Sequence, residues 1–288
     1  MKVKLKHILI VANWQKQHIE ETSNEIIRYL NSFDIKTTLV KTSSNSADIR
    51  FDGEIDLVIS LGGDGTVLYC VRHLQNLGVP ILPVNMGTFG YITEVSLSEW
   101  KKTLHSYVED GNDHVLHKRS TIKASVIRNG TVVFGGTALN EVVVTSNGLS
   151  KVITFDMSVN ETFLGSFRAD GMIVSTPTGS TGYSLAAGGP IVDNSLSALV
   201  CTPVCPFTLS NRPLVVSSKS SISIKILEDQ RTDVMINLDG QVNEKVFEND
   251  IVKVVQSETK AILLVTNNRT NYDILRDKLN WSGGRGNA

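Results

Sequence analysis

Three glycines and one carboxylate lie together where an apolar, β-branched segment, residues 55–60, leads into a segment of helical character. The run is Gly62, Gly63, Asp64, Gly65 and Thr66. Glycines let a ligand approach the backbone closely, and the free N–H groups of a helix start favour a phosphate. Asp64 would repel a phosphate, so it suggests either a proton acceptor for an attacking hydroxyl or a ligand for a metal ion. The alternative is a tight turn in which Asp64 binds nearby backbone N–H groups.

A second pair of polar residues, Asn140 and Glu141, comes directly before an apolar strand. At the mouth of a strand both side chains can reach one ligand, and together they could bind a ribose diol or the water shell of a metal ion. An ordinary strand end at the surface is the alternative.

The segment 168–190 combines Asp170 with a dense series of hydroxyl residues and glycines around a buried strand, residues 172–174. A loop so rich in donors and accessible backbone suits a polar, hydroxyl-rich ligand. The order Gly-Ser-Thr-Gly at 179–182 lacks the Gly-x-Ser-x-Gly spacing of serine hydrolases. A purely structural loop is the alternative.

Strands and helices alternate over the first third of the chain, which predicts a parallel sheet with helices on its faces. Ligands of such sheets bind beyond the carboxyl ends of the strands. Asn13, the glycine run and residues 85–90 are expected to gather at that edge. Phe89 in this last loop is either a core residue or an aromatic surface on which a base can pack.

The pattern changes after residue 110, where short β-rich runs separated by turn signals such as Asp239-Gly240 replace the helical periodicity. We therefore expect an α/β domain, Rossmann-like, over residues 1–110 and an all-β, sandwich-like domain over residues 111–266 that carries the polar loops. Residues 267–288 form a C-terminal segment whose helix is expected to return to the α/β domain.

Composition excludes several classes of partner. The formal net charge is −1, from 28 basic and 29 acidic residues, which gives no general attraction to nucleic acid or to an anionic membrane surface. The early apolar run, residues 7–12, is too short for a signal peptide, and no segment reaches the length of a membrane span. Three cysteines without an export signal indicate the reducing cytoplasm.

Together these motifs resemble the NAD kinase family, bacterial type, in the family order and over nearly the whole chain. The matching stretches are residues 62–66, 85–91, 139–141, 170–184, 206–213 and 239–241. The first motif, Gly62–Thr66, also occurs in diacylglycerol and sphingosine kinases. The Thr-Pro-Thr-Gly-Ser-Thr run together with Asn140-Glu141 distinguishes NAD kinases from these lipid kinases. It implies transfer of the γ-phosphoryl group of ATP to the 2′-hydroxyl of the adenosine ribose of NAD, with a divalent cation, Mg²⁺, as cofactor.

The resemblance also implies roles for individual residues. Asp64 would be the proton acceptor, and Gly62, Gly63, Gly65 and Thr66 would cradle the ATP phosphates. The positions that match NAD contacts of the family are Asp64, Gly65, Phe89, Asn140, Glu141, Lys151, Arg168, Asp170, Thr181, Tyr183, Ser184, Ala186 and Gln241. The pattern does not indicate which residues hold the metal.

Two residues depart from the family pattern: Gly182 stands where many members have alanine, and Phe207 stands where histidine is expected. A basic residue at the position of Arg168 is associated in the family with preference for NAD over NADH.

Family members assemble as homodimers or homotetramers through the β domain. Two other functions remain open, a lipid kinase of the same superfamily and a non-catalytic dinucleotide-binding regulator. The polar loop argues against the first and Asp64 against the second.

Overall fold

The computed structural model of the chain describes residues 4–43, 49–87, 90–110, 116–148, 151–208, 210–266 and 269–279. It divides into two compact units, Met1–Arg119 with Ala261–Ala288, and Ser120–Lys260. Within the described ranges, no helix has the length and apolar character needed to cross a membrane.

Strands and helices are numbered in chain order from the N-terminus. The strands are β1 (His7–Asn13), β2 (Lys36–Thr42), β3 (Leu57–Gly62), β4 (Ile81–Asn85), β5 (Leu116–Arg128), β6 (Thr131–Ala138), β7 (Glu141–Ser146), β8 (Ile153–Val159), β9 (Thr162–Ala169), β10 (Gly171–Ser175), β11 (Ala198–Val204), β12 (Leu214–Ser217), β13 (Ile222–Ile226), β14 (Val234–Leu238), β15 (Val242–Val246) and β16 (Ile251–Leu264). The helices are α1 (Ile19–Asn31), α2 (Asp64–Leu74), α3 (Trp100–Asp110), α4 (Tyr183–Ala186) and α5 (Asn271–Leu279).

The first unit is built on parallel strands in the order β2-β1-β3-β4, and the last residues of β16 pair in parallel with β4 through Leu263 and Ile81. Strands β1, β3 and β4 are apolar on both faces because helices cover them. In α1, the apolar residues Ile19, Ile26 and Leu30 recur at helical spacing and are buried. The sheet and α1 thereby share one apolar core.

The second unit consists of antiparallel strands in two sheets. One sheet has the order β12-β11-β10-β7-β14-β15, and the other contains β16, β13, β8 and β9, with β5 and β6 paired beside β16. Alternate residues of β7 and β8, such as Val142, Val144, Phe155 and Met157, point into a common core. This is the sandwich-like arrangement expected for the second half of the chain.

The fold class is confirmed, and the differences from the sequence prediction are local. The sequence predicts a helix over residues 66–75, whereas α2 begins at Asp64, so the carboxylate belongs to the first helical turn. Strands β11, β12 and β15 were not predicted. The division between the units falls after Arg119 and after Lys260. The domain limits 1–110, 111–266 and 267–288 stay predictions.

Candidate functional site

Three parallel strands of the first unit end beside one another. The register pairs Ala12 with Leu61 and Gly62 with Asn85, so β1, β3 and β4 finish at Asn13, Gly62 and Asn85. The carboxyl edge of the sheet therefore brings together the residues that the sequence assigned to it, which is where sheets of this kind bind ligands.

The glycine run makes a close turn from β3 into α2. A side chain at Gly62 would overlap the Thr66 hydroxyl and lie 3.3 Å from the Asn13 Cβ. Gly63 is extended (φ −115°, ψ −167°) immediately before the helix, and no atom lies within 4 Å of where its side chain would be. Gly62 is thus required by packing, whereas Gly63 leaves open space before the first N–H groups of the helix.

The Asp64 carboxylate accepts four hydrogen bonds from a single downstream loop. Oδ2 accepts from the Tyr91 backbone N–H at 2.8 Å. Oδ1 accepts from the N–H of Ile92 at 3.2 Å, the N–H of Thr93 at 2.9 Å and the hydroxyl of Thr93 at 2.8 Å. A carboxylate has about four acceptor positions, two on each oxygen, so Oδ1 is fully engaged whereas Oδ2 accepts one of these bonds and keeps a second position. Asp64 therefore binds backbone N–H groups, as in the alternative role that the sequence allowed. Those N–H groups are not in a local turn, because they lie 27–29 residues further along the chain.

Thr93 was not singled out by the sequence, yet it is the centre of this network. It is fully buried, and its hydroxyl also lies 3.1 Å from the Gly90 N–H and 3.3 Å from Nδ2 of Asn85. A Cβ at Gly90 would fall on the Asp64 carboxyl group, which explains a glycine there. No local pattern marks Thr93, because its role depends on a contact with a residue 29 positions earlier.

A buried ion pair follows this loop directly. Glu94 lies 3.6 Å from Arg119, and both side chains are almost completely buried. Burial raises the pKa of Glu94 to about 7, against the lowering effects of Arg119 and Arg269, and the Asp64 charge raises it slightly further. The Asp64 loop is therefore anchored next to a carboxyl group that titrates near neutral pH.

In the second unit, Asn140 and Glu141 present polar atoms that the fold leaves unpaired. Oδ1 of Asn140 and Oε2 of Glu141 are buried and have no hydrogen-bond partner among the described residues. An unsatisfied buried acceptor costs roughly 1–3 kcal/mol, so native proteins rarely keep two together without a reason. A ligand that donates hydrogen bonds at this point would supply the missing partners.

The polar loop packs directly on this pair. The Thr176 N–H donates to the Asn140 carbonyl at 2.9 Å, and its hydroxyl donates to the Leu139 carbonyl at 2.6 Å. A side chain at Gly179 would overlap the Asn140 backbone, and one at Gly182 would lie 3.1 Å from Glu141 Oε2. The alanine that many family members have at position 182 would therefore meet the Glu141 carboxyl group in this structure.

Burial is the main reason that the pKa of Glu141 rises to about 8. The charge of Asp239 raises it further, and the Tyr183 backbone N–H lowers it. The raised pKa favours the protonated form of Glu141, which can donate as well as accept a hydrogen bond.

The remaining predicted contacts of the second unit differ in exposure. Lys151, Arg168, Tyr183 and Ala186 are exposed, Asp170, Thr181 and Gln241 are half-buried, and Ser184 is buried. The Ser184 hydroxyl lies 2.9 Å from that of Thr202, so this side chain is part of the packing beneath the loop. Tyr183, at the start of α4, projects outward with 46% of its surface exposed.

The Arg168 side chain contacts an aromatic ring. Its guanidinium carbon lies 4.9 Å from the centre of the Phe207 ring, and the Phe207 N–H donates to the Arg168 carbonyl at 2.8 Å. No ion pair between Arg168 and Asp170 occurs in the part of the chain that the structure describes. The sequence marked Arg168 for cofactor selectivity and Phe207 as a departure from the family pattern. In the structure these two residues contact each other.

The predictions for Phe89 and for a divalent cation stay predictions. Phe89 lies outside them. No group of three or more histidine, cysteine, aspartate or glutamate side chains that could hold a metal ion occurs in the described ranges.

Comparison with known proteins gives consistent family matches. The ATP-NAD kinase N-terminal domain matches residues 32–112, and the ATP-NAD kinase C-terminal domain matches residues 139–266. The chain is 39% identical to an NAD kinase of Treponema denticola over 279 residues, covering 97% of this chain and 98% of the relative. It is also 39% identical to an NAD kinase of Citrifermentans bemidjiense, covering 94% of this chain and 90% of the relative.

Solved structures agree with these matches. The crystal structure of an NAD kinase from Archaeoglobus fulgidus in complex with ATP has a TM-score of 0.75 and 26% identity, covering 95% of this chain and 98% of that one. Yeast NADH kinase complexed with NADH has a TM-score of 0.84 at 20% identity, covering 99% of this chain and 90% of that one, which supports the fold alone. With two family domains and relatives of this identity over nearly its whole length, the chain belongs to the ATP-NAD kinase family.

Proposed function

We propose that this chain transfers the γ-phosphoryl group of ATP to the 2′-hydroxyl of the adenosine ribose of NAD and releases NADP. The observation that carries the choice of acceptor is the pair of buried oxygen atoms, Oδ1 of Asn140 and Oε2 of Glu141, that lack a partner among the described residues. A ribose diol or an adenine amino group offers the donors that these atoms need.

The first unit supplies the phosphate-binding part of the proposal. Gly62 closes the turn, and Gly63 leaves room for a phosphate before the N-terminus of α2. Gly65 and Thr66 complete this first turn, with the Thr66 N–H donating to the Gly63 carbonyl at 2.9 Å. Phosphoryl transfer depends mainly on positioning and on stabilising charge, and a preformed turn of this kind contributes to both.

Asp64 is the proposed acceptor of the proton from the attacking hydroxyl. Its four hydrogen bonds fix the position of the carboxylate. Oδ2 accepts one of these four bonds, so its second lone pair is proposed to accept the hydrogen bond of the substrate hydroxyl.

The divalent cation is proposed to enter with the nucleotide. Mg²⁺ commonly binds through substrate phosphates with one or two carboxylates and keeps several waters. Because the described ranges contain no group of three or more histidine, cysteine, aspartate or glutamate side chains around a cation site, we propose that the cation shares its ligands between protein oxygens and the nucleotide phosphates. When bound, it would neutralise charge on the transferred phosphoryl group.

The other contacts with NAD are carried over from the family pattern as proposals. They are Gly65, Phe89, Lys151, Arg168, Asp170, Thr181, Tyr183, Ser184, Ala186 and Gln241, in addition to Asp64, Asn140 and Glu141. Because Ser184 is fully buried, its contribution is to hold the loop that carries its neighbours.

Assembly as a homodimer or homotetramer through the second unit is also proposed. Strand β9 lies at the end of its sheet, and Phe163 and Leu164 on it are 61% and 49% exposed. An edge strand with exposed apolar side chains favours pairing with another chain. Phe163→Asp should lower the molar mass measured by light scattering, and an unchanged mass would contradict an interface at β9.

The free thiols of Cys70, Cys201 and Cys205 support the proposed cytoplasmic location.

Calorimetric titration of NAD and of ATP into wild type and Asn140→Ala tests the assignment of the acceptor site. Loss of one polar partner should weaken NAD binding by roughly 1–3 kcal/mol and leave ATP binding nearly unchanged. A variant that loses ATP affinity and keeps NAD affinity would contradict the assignment.

A further inference from the structure

The carboxylate of Asp239 holds the backbone of the residues proposed to bind NAD. Oδ2 accepts from the Leu139 N–H at 2.8 Å, and Oδ1 accepts from the N–H groups of Asn140 at 2.8 Å and Glu141 at 3.0 Å. The Asp239 N–H donates in return to the Glu141 carbonyl at 3.0 Å. One buried side chain therefore binds three successive amides some 100 residues earlier in the chain.

These bonds determine where the unpaired atoms of Asn140 and Glu141 point. Both residues lie at the start of β7, where the ladder to β10 and β14 begins at Glu141 and Val142. Asn140 precedes the strand, so its amide is held by Asp239 and not by a neighbouring strand. Charge-assisted bonds of this kind are stronger than neutral ones and tolerate little displacement.

The turn that carries Asp239 is itself tightly defined. Asp239 and Gly240 have φ values of 51° and 68°, as in a type I′ turn, and the Gln241 N–H donates to the Leu238 carbonyl at 2.9 Å. The Asn237 side-chain oxygen accepts from the Gly240 N–H at 2.7 Å. Because Asn-Gly is a favoured pair for such turns, Asp239→Asn should keep the turn while replacing one carboxylate oxygen by an amide.

We propose that Asp239 is a positioning residue for dinucleotide binding, which acts by holding the backbone of Asn140 and Glu141 in the orientation that presents their side chains to NAD. This inference rests on the proposed function, since it takes Asn140 and Glu141 as the binding pair. Asp239 itself is not placed in contact with the substrate.

Asp250 provides a matched control in the same unit. Its buried carboxylate accepts from the Arg128 guanidinium at 2.9 and 2.8 Å and from the Phe247 N–H at 2.9 Å. Asp250→Asn therefore removes a comparable buried charge without changing the backbone of Asn140. Both variants are expected to lower the temperature of unfolding.

The test is calorimetric titration of wild type, Asp239→Asn and Asp250→Asn with NAD and with ATP. Asp239→Asn should raise the Kd for NAD about tenfold or more, with the Kd for ATP within about twofold, as expected for loss of a charge-assisted bond. Asp250→Asn should leave both Kd values within about twofold. Equal loss of NAD affinity in the two variants, or none in Asp239→Asn, would overturn the positioning role.

The pH dependence of NAD affinity supplies a readout that a structural defect would not change. The Asp239 charge raises the pKa of Glu141, so Asp239→Asn should move the titration midpoint of NAD affinity to lower pH.

If Asp239→Asn does not fold, Asn237→Ala loosens the same turn from its exposed side and should raise the Kd for NAD about twofold or more. No rise in a folded Asn237→Ala would contradict the inference. Wild type that binds NAD but forms no NADP would contradict the proposed function alone.

Discussion

The Asp64 carboxylate is bound by both the backbone N–H and the side-chain hydroxyl of Thr93, at 2.9 and 2.8 Å. A single buried threonine thus supplies two of the four hydrogen bonds that hold the carboxylate at the start of α2. A hydrogen bond to a charged group is worth roughly 1.5–3 kcal/mol, so this contact is large enough to affect both stability and turnover.

Thr93→Val removes the hydroxyl and keeps the shape of the side chain, and Thr93→Ser keeps the hydroxyl. We expect kcat to fall about tenfold in Thr93→Val, because the carboxylate is less well positioned, and to stay within a few-fold in Thr93→Ser. Steady-state kinetics with NAD and ATP and the free energy of unfolding should be measured together. If Thr93→Val is less stable than wild type but has the same kcat, Thr93 contributes to folding and not to turnover.

Asp64→Asn should lower turnover by ~10²–10⁴-fold, the usual contribution of a general base. The variant should also be less stable than wild type, because the amide N–H groups of asparagine would face backbone N–H donors in place of a carboxylate oxygen. The kcat of Asp64→Asn should be compared with that of Thr93→Val under conditions where the two variants have the same free energy of unfolding. A larger fall in Asp64→Asn then reports the loss of the proton acceptor and not the loss of loop positioning. Turnover near that of wild type would exclude Asp64 as the proton acceptor.

Glu141 should make stability fall with rising pH. The ordinary pKa of this carboxyl is 4.5, and the folded protein raises it to about 8. Between these values the folded state binds more protons than the unfolded state, so the free energy of unfolding falls as pH rises through this window. Glu141→Gln should reduce that slope, which denaturant unfolding between pH 4.5 and 8 can measure. Glu20→Gln, at an exposed site of α1, controls for the loss of one carboxylate; an equal slope in the two variants would contradict the assignment.

Arg168 should favour NAD over NADH, and Phe207 should contribute because its ring lies against the guanidinium. We expect Arg168→Gly to raise the ratio of kcat/KM for NADH to that for NAD, and Phe207→Ala to change it in the same direction to a smaller extent. The basis is the family pattern together with this contact. Phe247→Ala is the matched control, because it removes the ring 4.3 Å from Arg128. Equal use of both cofactors by wild type would contradict the prediction and leave the kinase assignment intact.

The regular elements of the parallel sheet were accessible from the sequence, because their apolar runs and turn residues are local signals. The sequence predicts strands over residues 7–13, 141–146 and 234–238, and β1, β7 and β14 have these limits. Strand β11 was missed because it contains Pro203, which usually argues against a strand. The structure accommodates it because β12 pairs only with Ala198–Cys201, leaving Pro203 without a neighbour on that side. Strand β15 was missed because three polar residues separate its two valines.

The candidate site was predictable in its motifs but not in its supporting contacts. The glycine run, Asn140 and Glu141 are recognisable from residue type and spacing. The role of Thr93 and the hydrogen bonds of the Asp239 side chain are not, because each residue acts on others 29 or about 100 positions away. The sequence marks residues 239–241 as a turn and a family motif, but not their contact with Asn140 and Glu141. Long-range hydrogen bonds of this kind leave no periodic signal.

The most direct test of the central claim is an assay of the purified protein with ATP, Mg²⁺ and NAD, coupled to a dehydrogenase specific for NADP. We predict NADP formation that requires both nucleotides and that falls by ~10²–10⁴-fold in Asp64→Asn. Absence of NADP from folded wild-type protein that binds both nucleotides, or equal rates in wild type and Asp64→Asn, would contradict the proposed activity and its mechanism.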